Sequence, residues 1–202
     1  MNVSDPAKYG EKFIKMKQNC EILIIGGSAG SLEVILKFLP KLRTDLHFAV
    51  VLVLHRKSGR DSMLVDLLKT RTGLDVKEIE EKETIEPAKV YVVPPNYHLL
   101  IENNRTFSLD ASEKVNFSRP SIDVTFESAS EVYGENLVCL LLSGANQDGT
   151  DGVIKVKSSG GRVYAQNPAS ANAPYMPENA IEKCRVDEVL DPAQMAELIN
   201  QL

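Results

Sequence analysis

Three residues of different chemistry stand after the three most apolar runs of the chain. Ser28 follows Ile22-Leu23-Ile24-Ile25 and its Gly26-Gly27 end, His55 follows Phe48 to Leu54, and Asp148 lies in the loop after Leu137 to Leu142. A hydroxyl, an imidazole and a carboxylate can act together as nucleophile, general base and the acid that orients the base and stabilises its cation. Ser28 sits in Gly26-Gly27-Ser28-Ala29-Gly30, a literal G-x-S-x-G between a strand and a helix, which is the setting that motif requires. Small neighbours let backbone and substrate approach closely. The following helix aims its free N–H groups and positive end where an oxyanion would form.

A glycine-rich strand-to-helix turn can equally hold a phosphate, and on the motif alone the two readings stand even. Three features favour the nucleophile. Counted from Gly26, the dinucleotide fingerprint would need Gly where Ser28 and Ser31 stand. The second strand ends in His55 rather than in an acidic residue for a ribose, and no G-x-x-x-x-G-K-[ST] occurs.

The chain has three histidines, His47, His55 and His98. A lone histidine is more often structural than catalytic, but His55 is placed at the mouth of a buried strand. His47 precedes the same strand and so belongs at the opposite end of the sheet. His98 follows Pro94-Pro95 and is the serious rival base. Asp148 could instead cap its own helix, a common task for aspartate. The segment from Asn146 is not a calcium loop, because Gly is not at its sixth position and Lys157 stands where Glu should close it. An ordinary α/β-hydrolase is excluded by order: there the acid precedes the histidine, and no histidine follows residue 98.

The elements that must position these residues can be read from hydrophobic pattern. Residues 1–20 read as a tail or short helix, and 21–202 as one domain. Leu32, Ile35, Leu36 and Leu39 give a helix from Ser31 toward Leu42, and Leu64, Leu67 and Leu68 one from Ser62 to Thr70. A polar loop, Arg56 to Arg60, comes between. Lys89 to Val93, Tyr97 to Glu102 and Arg105 to Leu109 are short strand candidates with Pro and Asn turns. A helix from Ser121 to Tyr133, one ending near Lys157, a strand from Arg162 to Ala165, and a helix start at Asp191-Pro192 with Gln194 complete the pattern. Continuous apolar runs fit strands buried on both faces. The expectation is a three-layer α/β fold, a mostly parallel sheet with helices on both faces and a small antiparallel hairpin over about residues 89–110.

Composition excludes several other classes. The 202 residues are 43% hydrophobic and 25% charged, ordinary for a globular chain, with a net charge of −5. An acidic chain with 6% aromatics and no Trp is a poor nucleic-acid binder. Cys20, Cys139 and Cys184 form neither a C-x-x-C pair nor a metal-finger spacing, and Cys139 reads as a small buried hydrophobe. No apolar run approaches the ~18 residues of a membrane span, and the N-terminus lacks a signal-peptide core. A cytoplasmic protein without metal, cofactor, nucleic acid or membrane insertion is expected.

Beyond single residues, the segments IIGGSAGSLEVI, VVLVLHR, VYVVPPNYHLLIE, FSRPSIDVTFESAS, LLLSGANQDGTDGV and GGRVYAQNPASANAPYMPENAI occur in order from about residue 22 to residue 183. Together they resemble the catalytic domain of the chemotaxis protein-glutamate methylesterases of CheB type. The resemblance implies hydrolysis of glutamyl methyl esters on the cytoplasmic helices of methylated chemoreceptors, with deamidation of receptor glutamines as a second activity. It also implies Ser28 as nucleophile, His55 as base and Asp148 as acid. The oxyanion donors would be backbone N–H groups, Ala145 by the resemblance and Ala29 after the nucleophile. The chain departs from that family at two places: Ala29 stands where Thr is frequent, and Ala145 where Met is frequent. Family members often carry a phosphorylatable receiver domain. Residues 1–20 are too short to hold one, so a separate response-regulator receiver protein is the expected controlling partner. The alternative is a non-catalytic receptor- or partner-binding module of the same fold.

Overall fold

A computed structural model describes residues 19–56 and 61–202. The expected tail lies almost wholly outside them, as does most of the Arg56–Arg60 loop. The chain forms a seven-stranded parallel sheet in the order β3-β4-β2-β1-β7-β8-β9. The strands are β1 (Ile22–Gly27), β2 (Ala49–Leu54), β3 (Asp75–Glu78), β4 (Lys89–Val92), β7 (Leu137–Leu141), β8 (Arg162–Gln166) and β9 (Glu188–Leu190). Every residue of β1, β2 and β7 is buried. These are the three apolar runs of the sequence, and they form the middle of the sheet for that reason.

Alternate residues of the central strands face opposite helix layers. Leu23, Ile25, Val50 and Leu52 pack on one side with Ile35 and Phe38 of α1 (Ser31–Phe38), Leu68 of α2 (Asp61–Lys69), and Met195 and Ile199 of α6 (Pro192–Gln201). Ile22, Ile24, Val51 and Val53 pack on the other with Ile122 and Phe126 of α3 (Ile122–Tyr133), Val153 and Val156 of α4 (Thr150–Ser158), and Met176 and Ala180 of α5 (Tyr175–Lys183). Gly30 ends the turn into α1 with φ 82°, a left-handed backbone. A 3₁₀ turn at Leu39–Lys41, containing Pro40, ends α1 earlier than the leucine pattern implies. At α6, Asp191 precedes Pro192, and Gln194 Oε1 accepts the Asp191 N–H at 2.8 Å, so the expected helix start is present.

The antiparallel piece is narrower than residues 89–110. Lys89–Val92 joins the parallel sheet between β2 and β3, leaving β5 (His98–Ile101) and β6 (Phe107–Asp110) as a separate two-stranded sheet. That hairpin leans on α3, where Thr125 Oγ1 donates to Leu99 O at 3.1 Å and Ser128 Oγ accepts the Ile101 N–H at 3.1 Å. Sequence pattern missed β3, β9 and α5. The two strands are short sheet edges with one buried residue each, Val76 in β3 and Leu190 in β9. They carry too few apolar side chains to register as strands.

From β1 the chain builds outward to one side through β2, β3 and β4, then returns to pair β7 on the other flank of β1. Such a reversal opens a crevice at the carboxyl ends of the strands, the usual place for a site in an open α/β sheet. Gly26 lies under the wall of that crevice. A Cβ there would come within 2.6 Å of Ile122 Cγ2 and 3.2 Å of Leu141 Cδ1. The Gly26→Ala variant is therefore expected to lose about 1–3 kcal/mol of stability through overpacking, measured by denaturant unfolding.

Candidate active site

Ser28 and His55 leave the sheet side by side. Gly27 pairs with Leu54 across β1 and β2, and the His55 N–H donates to Gly27 O at 3.1 Å, so the two residues stand one position past the same rung. Ser28 is also anchored to the loop after β7, its N–H donating to Ser143 O at 2.8 Å. Ser143, fully buried, is a fastener that sequence reasoning overlooked. Its hydroxyl donates to Ala29 O at 2.6 Å and accepts the Ala173 N–H at 2.9 Å, while its own N–H donates to Gln166 Oε1 at 2.9 Å. The loops after β1, β7 and β8 are thereby stapled together. Ala29 and Ala145 are exposed on the first two of them, and among the described residues neither N–H donates to any group.

His55 and Asp148 are joined directly, with Nε2 to Oδ2 at 2.7 Å. The carboxylate is fully buried. It does not cap its own helix: Gly149 is the cap residue of α4. It sits instead on the N-terminus of α3. Oδ2 accepts the Ile122 N–H at 2.7 Å, and Oδ1 accepts the Ser121 hydroxyl at 2.8 Å and the Asp123 N–H at 3.2 Å. Burial pushes this carboxyl up. The His55 bond, the Ile122 N–H and the Ser121 hydroxyl outweigh it and hold Asp148 below the ordinary aspartate range. The acid is thus an anion fixed by a helix end.

With Nε2 bound to Asp148, Nδ1 is the nitrogen left for proton transfer. It faces Ser118 Oγ at 3.3 Å, and the Ser28 hydroxyl makes no hydrogen bond among the described residues. The expected line of three groups is therefore closed on its acid side and open on its serine side. Ser118 was not singled out from sequence, because a serine in a polar loop carries no pattern. The Ser118 hydroxyl also lies 3.3 Å from Asn116 O and from Asn146 Nδ2, so it has an alternative partner when Nδ1 is needed.

His98 has no free nitrogen. It is buried, its Nδ1 accepts the Ser121 N–H at 3.1 Å, and its Nε2 proton goes to Glu113 O at 2.9 Å. It brackets the α3 N-terminus. His47 is exposed at the other end of β2, with its ring edge-on to Phe48. Among the described residues no cluster of His, Cys, Asp or Glu is placed to hold a metal ion. Cys20, Cys139 and Cys184 are buried free thiols, all pushed up by burial, Cys20 to about 12. Outside His55 opens a hollow of about 520 Å³, lined among others by Arg56, Asn96, Lys114, Phe117 and Arg119.

Known proteins share this arrangement of chain. The family described as CheB methylesterase matches residues 23–199. The chain belongs to the CheB methylesterase family. A Leptospira interrogans protein provisionally named a protein-glutamate methylesterase/protein-glutamine glutaminase is 46% identical over 184 residues, covering 91% of this chain and 95% of that one. The Thermotoga maritima protein-glutamate methylesterase/protein-glutamine glutaminase is 33% identical over 185 residues, covering 90% of this chain but 54% of its own length. The crystal structure of the Thermotoga maritima CheB methylesterase catalytic domain superposes with a TM-score of 0.86 at 32% identity, covering 91% of this chain and 98% of that one. The chain thus spans about half of the longer Thermotoga relative and nearly all of its solved CheB catalytic domain.

Behind the acid of this CheB fold lies a second carboxyl. Asp123 is buried, accepts the Gly152 N–H on Oδ1 at 2.7 Å and Asn116 Nδ2–H on Oδ2 at 2.7 Å. Burial, reinforced by the neighbouring Asp148 charge, pushes it up to about 7, against the pull of the Gly152 N–H. An acid raised on folding binds more protons in the folded than in the unfolded state between its two pKa values. Its stabilising contribution is complete at low pH and is lost as pH rises from about 4 through about 7. Asp123→Asn removes that loss. The stability of the variant minus that of the wild type is expected to grow by a few kcal/mol across this window, measured by urea unfolding at each pH.

Proposed function

We propose that this chain hydrolyses glutamyl methyl esters of chemoreceptors and deamidates glutamines, with Ser28 as nucleophile, His55 as general base and Asp148 as the acid that orients it. The observation that carries the proposal is the buried His55–Asp148 bond one strand position away from Ser28, in a chain whose relatives bear that activity in their names.

The steps follow from the protonation pattern. Asp148 fixes the His55 proton on Nε2 and leaves the Nδ1 lone pair to act. Ser28 Oγ attacks the ester carbonyl carbon as its proton passes to Nδ1, and the Ser118 hydroxyl turns to Asn116 O. The oxyanion is met by the undonated N–H groups of Ala29 and Ala145. As the C–OCH₃ bond breaks, the imidazolium returns the proton to the leaving oxygen and methanol departs. Water then gives its proton to Nδ1 and attacks the acyl carbon, the bond from that carbon to Ser28 Oγ breaks, and the imidazolium returns the proton to Oγ. The product is a glutamate side chain and free Ser28. An amide substrate runs the same course with ammonia leaving. All groups used belong to the protein, and no metal or cofactor enters the scheme. The methylated receptor helices that supply the ester are cytoplasmic, so the reaction belongs in the cytoplasm, and a separate receiver protein is the proposed source of control.

A non-catalytic binding module needs no ionised acid against the base. Ser28→Ala is expected to abolish methanol release from methylated receptor membranes while leaving the unfolding midpoint near that of the wild type. A fluorophosphonate should label the wild type at Ser28 and not the variant; an unlabelled wild type would favour the binding module. His55→Gln is expected to cost about 10²–10⁴-fold in kcat, the usual weight of a general base. His98→Gln should lose stability first, since His98 holds the Ser121 amide.

A further inference from the structure

Residues 115–118 close a two-residue hairpin, with the Val115 N–H donating to Ser118 O at 3.2 Å and the Ser118 N–H to Val115 O at 2.9 Å. Its central residues, Asn116 (φ 48°) and Phe117 (φ 62°), both have left-handed backbone. A turn of this kind favours Gly at its second position, and a bulky side chain there is strained. The turn is held by the catalytic network. Asn116 Nδ2 donates to Asp123 Oδ2 at 2.7 Å, with Asp148 Oδ1 at 3.4 Å, and Ser118 Oγ faces His55. The result is a phenyl ring 97% exposed, presented at the mouth of the site on a backbone that strain alone would relax.

Phe117 stands between two open hollows. One, about 520 Å³, holds His55, and the other, about 480 Å³, is lined by Lys114, Asn116 and Phe117. The charged residues on the first are all cationic, Arg56, Lys114 and Arg119, although the chain carries −5 overall. Arg119 is engaged in holding the loop, donating to Ala111 O and Ser112 O, and Arg56 reaches Glu78. Lys114 is exposed, and among the described residues it makes no ion pair.

We propose that this hairpin is the substrate-docking element of the site, with Phe117 the apolar anchor and Lys114 the charge reader for a glutamate-rich helical segment that carries the ester. The proposal rests on the esterase function given above. An ester on a helix has its neighbours at i±3 and i±4 on the same face. With the ester at Ser28, one neighbouring turn offers an apolar side chain to Phe117 and a carboxylate to Lys114. A small ester offers neither.

The test compares a soluble glutamate-rich helical peptide bearing one glutamyl methyl ester with p-nitrophenyl acetate, on the whole chain. Phe117→Ala is expected to lower the ratio of kcat/KM for peptide over small ester about tenfold, mainly through KM, as loss of a central aromatic anchor does. Lys114→Glu should lower it at least about threefold at low salt and less in 1 M salt, because an exposed charge contact is screened. Val189→Ala, another exposed apolar residue, serves as the reference. Ratios within about twofold of that reference for both variants, with both esters turned over, would overturn the docking role and leave the esterase assignment standing. A wild type that cleaves neither ester would overturn both.

Discussion

One buried carboxylate organises this molecule. Asp148 is surrounded by protein and would be neutral there if nothing compensated its burial. Two backbone N–H groups of the first turn of α3, the Ser121 hydroxyl and the His55 ring supply that compensation. The same bonds tie α3 to the loop after β7 and to the end of β2. The charge is thus both the partner of the proposed base and a joint between layers, and neither role can be altered alone.

Several other features become intelligible from this joint. His98 is spent on the Ser121 amide, which stands at the start of α3. Asn116 binds the second carboxyl, Asp123, and reaches toward the first, so the hairpin at the mouth is rooted in the same cluster. Gly152 of α4 closes against Asp123 and donates to it. A Cβ there would meet Phe126 Cβ at 2.7 Å, which shows how tightly the two helices are drawn together around their acidic contacts.

Much of the architecture was legible because it rests on hydrophobic pattern. The runs at residues 22–25, 48–54 and 137–142 read as strands buried on both faces, and they form the three central strands of the parallel sheet. What stayed hidden depends on polar contacts between distant segments. Ser118 and Ser121 share a segment without periodicity, yet one faces His55 and the other Asp148. In sequence Asp148 reads as the partner of His55, with a cap of its own helix as the alternative, and only the tertiary path of α3 shows that it lies on another helix end. Lys89–Val92 looked like hairpin because it is short and runs into the Pro94-Pro95-Asn96 turn. Its backbone partners are Val50–Leu52, some 40 positions earlier, and the edge strand Asp75–Glu78, whose polar residues gave no strand signal of their own.

The Ser143 fastener has a consequence for the chain during its synthesis. The turn that carries Ser28 is braced through Ser143 to Ala173, and Gly144 exchanges hydrogen bonds with Ala173 and Met176. Growth on the ribosome runs from the N-terminus, so the hydroxyl emerges long before the residues that hold its loop in place. A nascent or prematurely terminated polypeptide lacking the region around residue 176 would leave that turn unbraced, so the seat of Ser28 is completed only after about 145 further residues have been made.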